Sequence, residues 1–421
     1  MKLSRTLFES SCEATSLVCR LDRPADTTLG EFFRRNRGLG SHDRPFIADT
    51  VFGILRNKRL LEALAPAPDP RHLVLASLAK LQNFPIDVVQ SLASDTDQAW
   101  LSEIQQTGIE QLPAAVQLSL PDWLWHDLVA QYGEERAIRL GKALLEPASL
   151  DLRVNTMQAS RDQVMESLAG SGIEARPTPY SPIGIRLRDK PSLNRNELYL
   201  NGSVEPQDEG SQLLGLLVAP ARRQMVVDFC AGAGGKTLLL GAMMHNQGRL
   251  YAFDVSAKRL ETLKQRVQRA GLTNVQPQMI GSEHDPRIAR LAGKIDRVLV
   301  DAPCSGLGTL RRSPELKWRQ SPESIAKLAD QQRRILDAAS QLLKPGARLV
   351  YATCSLLARE NEDIVEAFLD GQEGRFRLRE CQPIPDNSHV SPQNGLYFNV
   401  LPDTHHCDGF FAAVLERTAQ A

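Results

Sequence analysis

The sequence has no net charge: 50 basic side chains balance 50 acidic ones over 421 residues. That excludes a simple polybasic nucleic-acid binder, although a local basic patch can sit inside a neutral total. There is no continuous apolar run of the ~18 residues that a membrane-spanning helix needs. The opening stretch, "MKLSRTLFESSCEATSLVCRLDR", lacks an apolar core of signal-peptide length. A cytoplasmic protein with no membrane partner is the expectation. Cysteines are few, seven in all, an odd number without regular spacing. They fit free thiols in a reducing compartment, some of them there for reactivity. His405, His406, Cys407 and Asp408 stand in a row, but without the spaced partner pair that zinc requires, so no metal is expected. What remains, 42% hydrophobic and 24% charged residues, is an ordinary globular composition. The length predicts two or three domains.

The pattern changes twice along the chain. Residues 1–118 have apolar positions at helical spacing and few strand-like alternations, which predicts an all-α domain. Between positions 30 and 60, Arg34, Arg35, Arg37, Arg44, Arg56, Lys58 and Arg59 face only three acids, so these helices carry either a solvated basic face or an RNA-facing one. Residues 119–205 read as strand ("LDLRVNT"), Ser-capped helix ("SRDQVMESLAGSG") and strand ("GIRLRD"), a small α+β module. Residues 206–421 repeat strand then helix, from "QMVVDFC" through "GRLYAFDV" and "IDRVLVDAP" to "ARLVYATCS". Such alternation predicts a Rossmann-like α/β domain, a mostly parallel sheet with ligands at the carboxyl ends of its strands.

A Gly-rich turn, "DFCAGAGGKT", follows the first of those strands. It is not a P-loop, because the required first glycine is Cys230. It is not the dinucleotide fingerprint either, because the third glycine is replaced by Thr237. Asp254 ends the next strand and can accept both hydroxyls of a ribose, or cap the helix that starts near Ser256. A nucleoside without phosphates, such as S-adenosyl-L-methionine, fits the combination. Cys304 in "DAPCSG" and Cys354 in "YATCS" end the next two strands, beside Asp301. A free cysteine in a strand is usually core; at a strand end beside a cofactor loop it is placed for chemistry.

With these motifs, "DAPCSGLGTLRRSPELKW", "QRRILDAASQLLKPG", "LVYATCSLLARENEDIV", "CDGFFAAVL" and the upstream "EPQDEGSQL", the sequence resembles the RsmB/Sun-type RNA 5-methylcytosine methyltransferases over roughly residues 120–417. The resemblance implies a class I methyltransferase domain, an RRM-like module that binds RNA, and an N-terminal NusB-like domain. It implies methyl transfer from S-adenosyl-L-methionine to carbon 5 of a cytosine, most naturally in ribosomal RNA. In those roles Cys354 matches the nucleophile, Cys304 the residue assisting release, and Asp301 the group at ring nitrogen 3. The cofactor would lie against Cys230, Ala231, Gly232, Ala233, Gly234, Gly235, Lys236, Asp254 and Asp301.

One departure stands out. The family's Gly-Asp pair near the adenine is Gly281-Ser282 here, with Glu283 and Asp285 close by. Arg311, Arg312, Lys317, Trp318 and Arg319, basic residues beside an aromatic, suit single-stranded RNA or a plain charged loop. A monomer is expected. The same chemistry on transfer RNA, or a non-catalytic RNA-binding assembly factor, are the alternatives.

Overall fold

The computed structural model describes residues 3–381 and 395–419. The chain divides by compactness into two units, Met1–Pro147 with Thr309–Ser321, and Ala148–Gly308 with Pro322–Ala421.

The first unit is helical, with no strand among its described residues. Its first helix, Arg5–Val18, starts at Ser4, whose hydroxyl accepts the Leu7 N–H. It buries Leu7, Phe8, Ala14 and Val18, the apolar positions of one stripe. Phe8 joins Ile54, Leu61 and Leu75 in one core cluster, and Leu7 joins Leu29, Phe32 and Val51 in another. By compactness, helices Asp122–Tyr132 and Glu134–Leu145 fall within this unit, which runs to Pro147.

Thr309–Ser321 also belongs to this unit, although it lies within the stretch read from sequence as the α/β domain. The reason is packing. Lys317 is buried and donates to the Arg56 carbonyl at 2.7 Å, and the Trp318 indole N–H donates to the Leu55 carbonyl at 2.8 Å. The Arg56 guanidinium donates to the Arg311 carbonyl, and buried Glu315 accepts the Ala25 N–H. Lys317 and Trp318 thus serve as internal anchors and not as an open RNA-stacking loop. The basic helix face contracts likewise. Arg56, Lys58 and Arg59 are held by Arg311, Glu62 and Leu120, while Arg34, Arg35, Arg37 and Arg44 stay exposed.

The second unit opens with a small antiparallel sheet of β1 (Leu150–Val154), β2 (Ala175–Pro177), β3 (Gly184–Leu187) and β4 (Val204–Pro206), in the order β2-β3-β1-β4. Its helix, Arg161–Gly170, begins with a reciprocal capping box between Ser160 and Gln163. Asp151 and Arg186, on β1 and β3, form a buried two-bond ion pair, and Asp151 also accepts the Glu209 N–H. Those two sheet residues meet the start of helix Glu209–Val218, where Glu209 is buried beside Arg186.

The large sheet comprises β5 (Met225–Asp228), β6 (Arg249–Asp254), β7 (Val275–Met279), β8 (Ile295–Asp301), β9 (Leu343–Thr353), β10 (Phe376–Arg379), β11 (Tyr397–Val400) and β12 (Phe410–Arg417). Its order is β10-β12-β9-β8-β5-β6-β7, with β11 also on β12. β9 through β7 are parallel, as the alternation predicts, while β12 runs antiparallel to β9, and β10 and β11 antiparallel to β12. The chain leaves β5 toward β6 and β7, then returns to β8 on the other flank. β5 and β8 therefore border the switch point where α/β sheets form their ligand crevice.

Candidate active site

The Gly-rich turn is shaped by its own backbone. Gly232 and Gly234 have φ of 56° and 91°, in the left-handed region that glycine tolerates. A Cβ on Gly234 would stand 2.8 Å from Leu263, so the turn packs on helix Ala257–Arg269 with nothing between. At its foot, buried Asp228 accepts the Thr237 hydroxyl at 2.7 Å. Burial, with the Asp301 and Asp254 carboxylates near, pushes Asp228 up to about 7. Arg153, from β1, donates to the Gly235 carbonyl, and Arg266 donates to the Ala233 carbonyl, so two guanidiniums fasten the turn from below.

Asp254 does two jobs with its two oxygens. One accepts the Gly232 N–H at 2.9 Å and the other accepts the Ser256 N–H at 2.7 Å. The helix that follows is capped by Ser256, whose hydroxyl accepts the Arg259 N–H, so Asp254 braces the cap residue and is not itself the cap. Each of its oxygens keeps a second lone pair for a ligand hydroxyl.

Lys236 is not a solvated loop lysine. It is buried and donates to Asp301 at 2.8 Å. Burial alone lowers an ammonium, but the facing Asp301 carboxylate outweighs it and holds Lys236 above its ordinary value.

Adjacent parallel strands β8 and β9 bring the two cysteines together. Sγ of Cys304 lies 3.3 Å from Sγ of Cys354, and the Cys354 N–H points at the Cys304 sulfur, also at 3.3 Å. Both thiols are free. The contact with Cys354 and burial push the Cys304 thiol well above its ordinary range, so it stays protonated and able to donate. Gly308 fixes this corner: its N–H donates to the Cys354 carbonyl and its carbonyl accepts the Gly409 N–H, both at 2.8 Å. A Cβ on Gly308 would collide with the Gly409 oxygen at 2.1 Å.

These groups share one cleft of about 520 Å³. Every residue expected at the site lines it except Gly234, which shapes the wall from behind. Cys230 lines it too, and burial plus the carboxylates of Asp228, Asp301 and Asp254 keep that thiol far above its ordinary value and unreactive. Of Ser282, Glu283 and Asp285, only Glu283 lines the cleft. Its carboxylate is paired with Arg334 at 2.8 Å, which holds it below the usual range. Asp285 instead accepts the Gly281 and Arg287 N–H groups. Val255, 64% exposed, and buried Ile280 supply apolar surface between Asp254 and Glu283.

Sequence reasoning missed Arg153, which fastens the glycine turn, Arg266, Arg259 and Gln207, which line the cleft, and Glu360 behind it. The first four are ordinary polar residues scattered over 114 positions, with no motif spacing to mark them. Glu360 sits in the quoted "ARENEDIV", but its burial becomes visible only with the loops folded.

Residues 215–416 match the family described as 16S rRNA methyltransferase RsmB/F, and residues 120–194 match the ferredoxin-like domain of RsmF/B-like methyltransferases. Among curated relatives, a probable ribosomal RNA small subunit methyltransferase B from Synechocystis is 32% identical over 95% of this chain and 97% of its own length. A human 28S rRNA (cytosine(4447)-C(5))-methyltransferase is 30% identical over 72% of this chain and 38% of that one. The crystal structure of PH0851, 24% identical, covers 99% of this chain and all of its own with a TM-score of 0.82, and so shares the fold. Matched over nearly its whole length by the Synechocystis protein and carrying the family's catalytic-domain pattern, the chain belongs to the RsmB/F family of 16S rRNA methyltransferases.

Proposed function

We propose that this enzyme transfers a methyl group from S-adenosylmethionine to carbon 5 of a cytosine in ribosomal RNA, through a covalent bond between Cys354 and the base. The observation that carries the reading is the pair of free thiols 3.3 Å apart, at the end of a cleft that also holds the Lys236–Asp301 ion pair.

The cleft fits the cofactor. Asp254 offers two fixed carboxylate oxygens to a vicinal diol, Val255 and Ile280 offer apolar surface to a purine, and Glu283 can accept from an exocyclic amine. Three carboxylates, Asp254, Glu283 and Asp301, face the cleft alongside Lys236, Arg259 and Arg266. Asp301 is bonded to Lys236 and Glu283 to Arg334, whereas Asp254 accepts from backbone N–H groups. When bound, the cofactor supplies an electrophilic methyl group.

The protein's task is to make carbon 5 of the base nucleophilic. The Cys354 thiolate adds to carbon 6, forming an S–C bond and leaving electron density at carbon 5, which takes the methyl group. As the sulfur bonds to carbon 6, ring nitrogen 3 takes up the proton given up by the Cys354 thiol. Asp301 uses one oxygen for Lys236, and the other accepts a hydrogen bond from the resulting N3–H. The carbon 5 proton then departs, the ring double bond re-forms, and the S–C bond breaks. Water takes the carbon 5 proton, and Cys304, kept protonated 3.3 Å from the Cys354 sulfur, donates a hydrogen bond to that sulfur as it leaves as thiolate. A base inside a duplex cannot present carbon 6 to a sulfur in a cleft, so the target is single-stranded or flipped out. Labelled methyl transfer to small-subunit ribosomal RNA, with bisulfite mapping of the modified base, tests the reading. Incorporation at any position other than a cytosine carbon 5 overturns it.

A further inference from the structure

Directly behind the two cysteines lies a carboxylate that the reaction just described does not use. Glu360 is fully buried. Its side chain accepts the Ser305 N–H at 2.9 Å, the hydroxyls of Ser305 and Ser355, and the Gln332 amide at 3.0 Å. Ser305 follows Cys304 in the chain and Ser355 follows Cys354. The same Gln332 amide donates to the Pro303 carbonyl at 2.9 Å, on the other side of Cys304. The Glu360 carbonyl accepts the Tyr351 hydroxyl at 2.6 Å, and neighbouring Asn361 bonds Thr353 and the Ser355 carbonyl. The residue thus grips both cysteine loops and is itself pinned to β9.

Two N–H groups and two hydroxyls converge on this one buried carboxylate. A core built only for packing would not place an anion here, since burying a charge is costly unless bonds compensate it. Among the described residues, its side-chain partners are the two cysteine loops and Gln332, which also touches one of them.

We propose that Glu360 is a positioning residue for methyl transfer: one buried carboxylate draws the loop after β8 and the loop after β9 together and thereby sets the distance between the Cys304 and Cys354 sulfurs. This rests on the function proposed above, in which both thiols act on one base. Its negative charge has a second effect, because it adds to the forces that keep Cys304 a thiol beside Cys354. Cys304 then does not compete as a nucleophile.

Two readouts on the full-length protein test the proposal. In Glu360→Gln, kcat per cofactor-binding site should fall at least tenfold, with the cofactor Kd and the RNA KM within twofold of wild type. A purely structural role would lower the number of cofactor-binding sites and leave kcat per site alone. Independently of any RNA, the rate of iodoacetamide labelling of Cys304 at pH 8, followed by mass spectrometry, should rise at least fivefold in Glu360→Gln. Should that variant fail to fold, Ser355→Ala removes one strand of the grip and should lower kcat per site severalfold. Wild-type kcat per site together with wild-type labelling of Cys304 would overturn the inference. A wild-type protein that methylates no cytosine, but whose Cys304 labelling still responds to Glu360→Gln, would overturn the proposed function and leave the grip standing.

Discussion

Deleting residues 1–118 distinguishes an RNA-binding appendage from an integral part of the enzyme. If the helices only added phosphate contacts, the truncated enzyme would bind RNA more weakly, with a shallower salt dependence, and turn over normally. The fold argues for more. The deletion removes every group that holds Thr309–Ser321 through Lys317, Trp318, Glu315 and the Arg311 carbonyl. Four hydrogen bonds at ~1 kcal/mol each and about 1–2 kcal/mol for the partly buried indole amount to ~5 kcal/mol of lost anchoring. That peptide begins five residues after Cys304. The truncated protein should therefore become sensitive to trypsin after Lys317 and Arg319. Single-turnover methyl transfer at saturating RNA should fall at least tenfold. Full-length Trp318→Ala should show the same cleavage in milder form, with a loss of ~2 kcal/mol in thermal or denaturant unfolding from one hydrogen bond and part of a ring. A truncated protein that resists trypsin at both sites and turns over at the wild-type rate would refute the reasoning.

Asp254→Ala should weaken cofactor binding by ~1–3 kcal/mol for lost hydrogen bonds to a charged group, read by calorimetry; an unchanged Kd removes the ribose contact. Glu283→Ala should weaken it by ~1 kcal/mol on the same grounds, whereas Asp285→Ala should leave it alone; the reverse order would assign the adenine side to Asp285. Burial, with Arg56 close by, lowers the Lys317 ammonium from 10.5 to about 7. Between those values the unfolded chain binds more protons at this group than the folded one, so its contribution to stability grows as pH rises from 7 to 10.5. Lys317→Met should flatten that slope in melts at pH 7, 8.5 and 10, and an unaltered slope would contradict the burial.

Much of the catalytic sheet was legible in the sequence because parallel strands are buried on both faces and read as unbroken apolar runs, with 3.6-period helices between them. "VLVD" and "LVYAT" are such runs, and the chemistry sits at their carboxyl ends. The C-terminal strands were not legible as topology. Nothing in "FFAAVLER" says that it inserts beside β9 in the antiparallel sense. β2 and β4 are three residues each and end in Pro177 and Pro206, too short for a period to register. Lys317 and Trp318 were ambiguous for a physical reason. A long aliphatic stem with a cationic tip, and a ring with one N–H, suit a buried anchor as well as a nucleic-acid surface. Glu360 looked like one more acid before a helix, the role that Glu362 and Asp363 in fact take. Only the meeting of two loops distant in sequence gives it four donors.

The central claim is that Cys354 attacks and Cys304 releases, and one measurement addresses it directly. Cys304→Ala, incubated with cofactor and substrate RNA, should stop after methyl transfer with the base still bonded to Cys354. A protein–RNA adduct should therefore survive denaturing electrophoresis, and it should vanish in the double variant Cys304→Ala with Cys354→Ala. If Cys304→Ala is inactive without an adduct while Cys354→Ala accumulates one, the two thiols have exchanged roles and the account is contradicted.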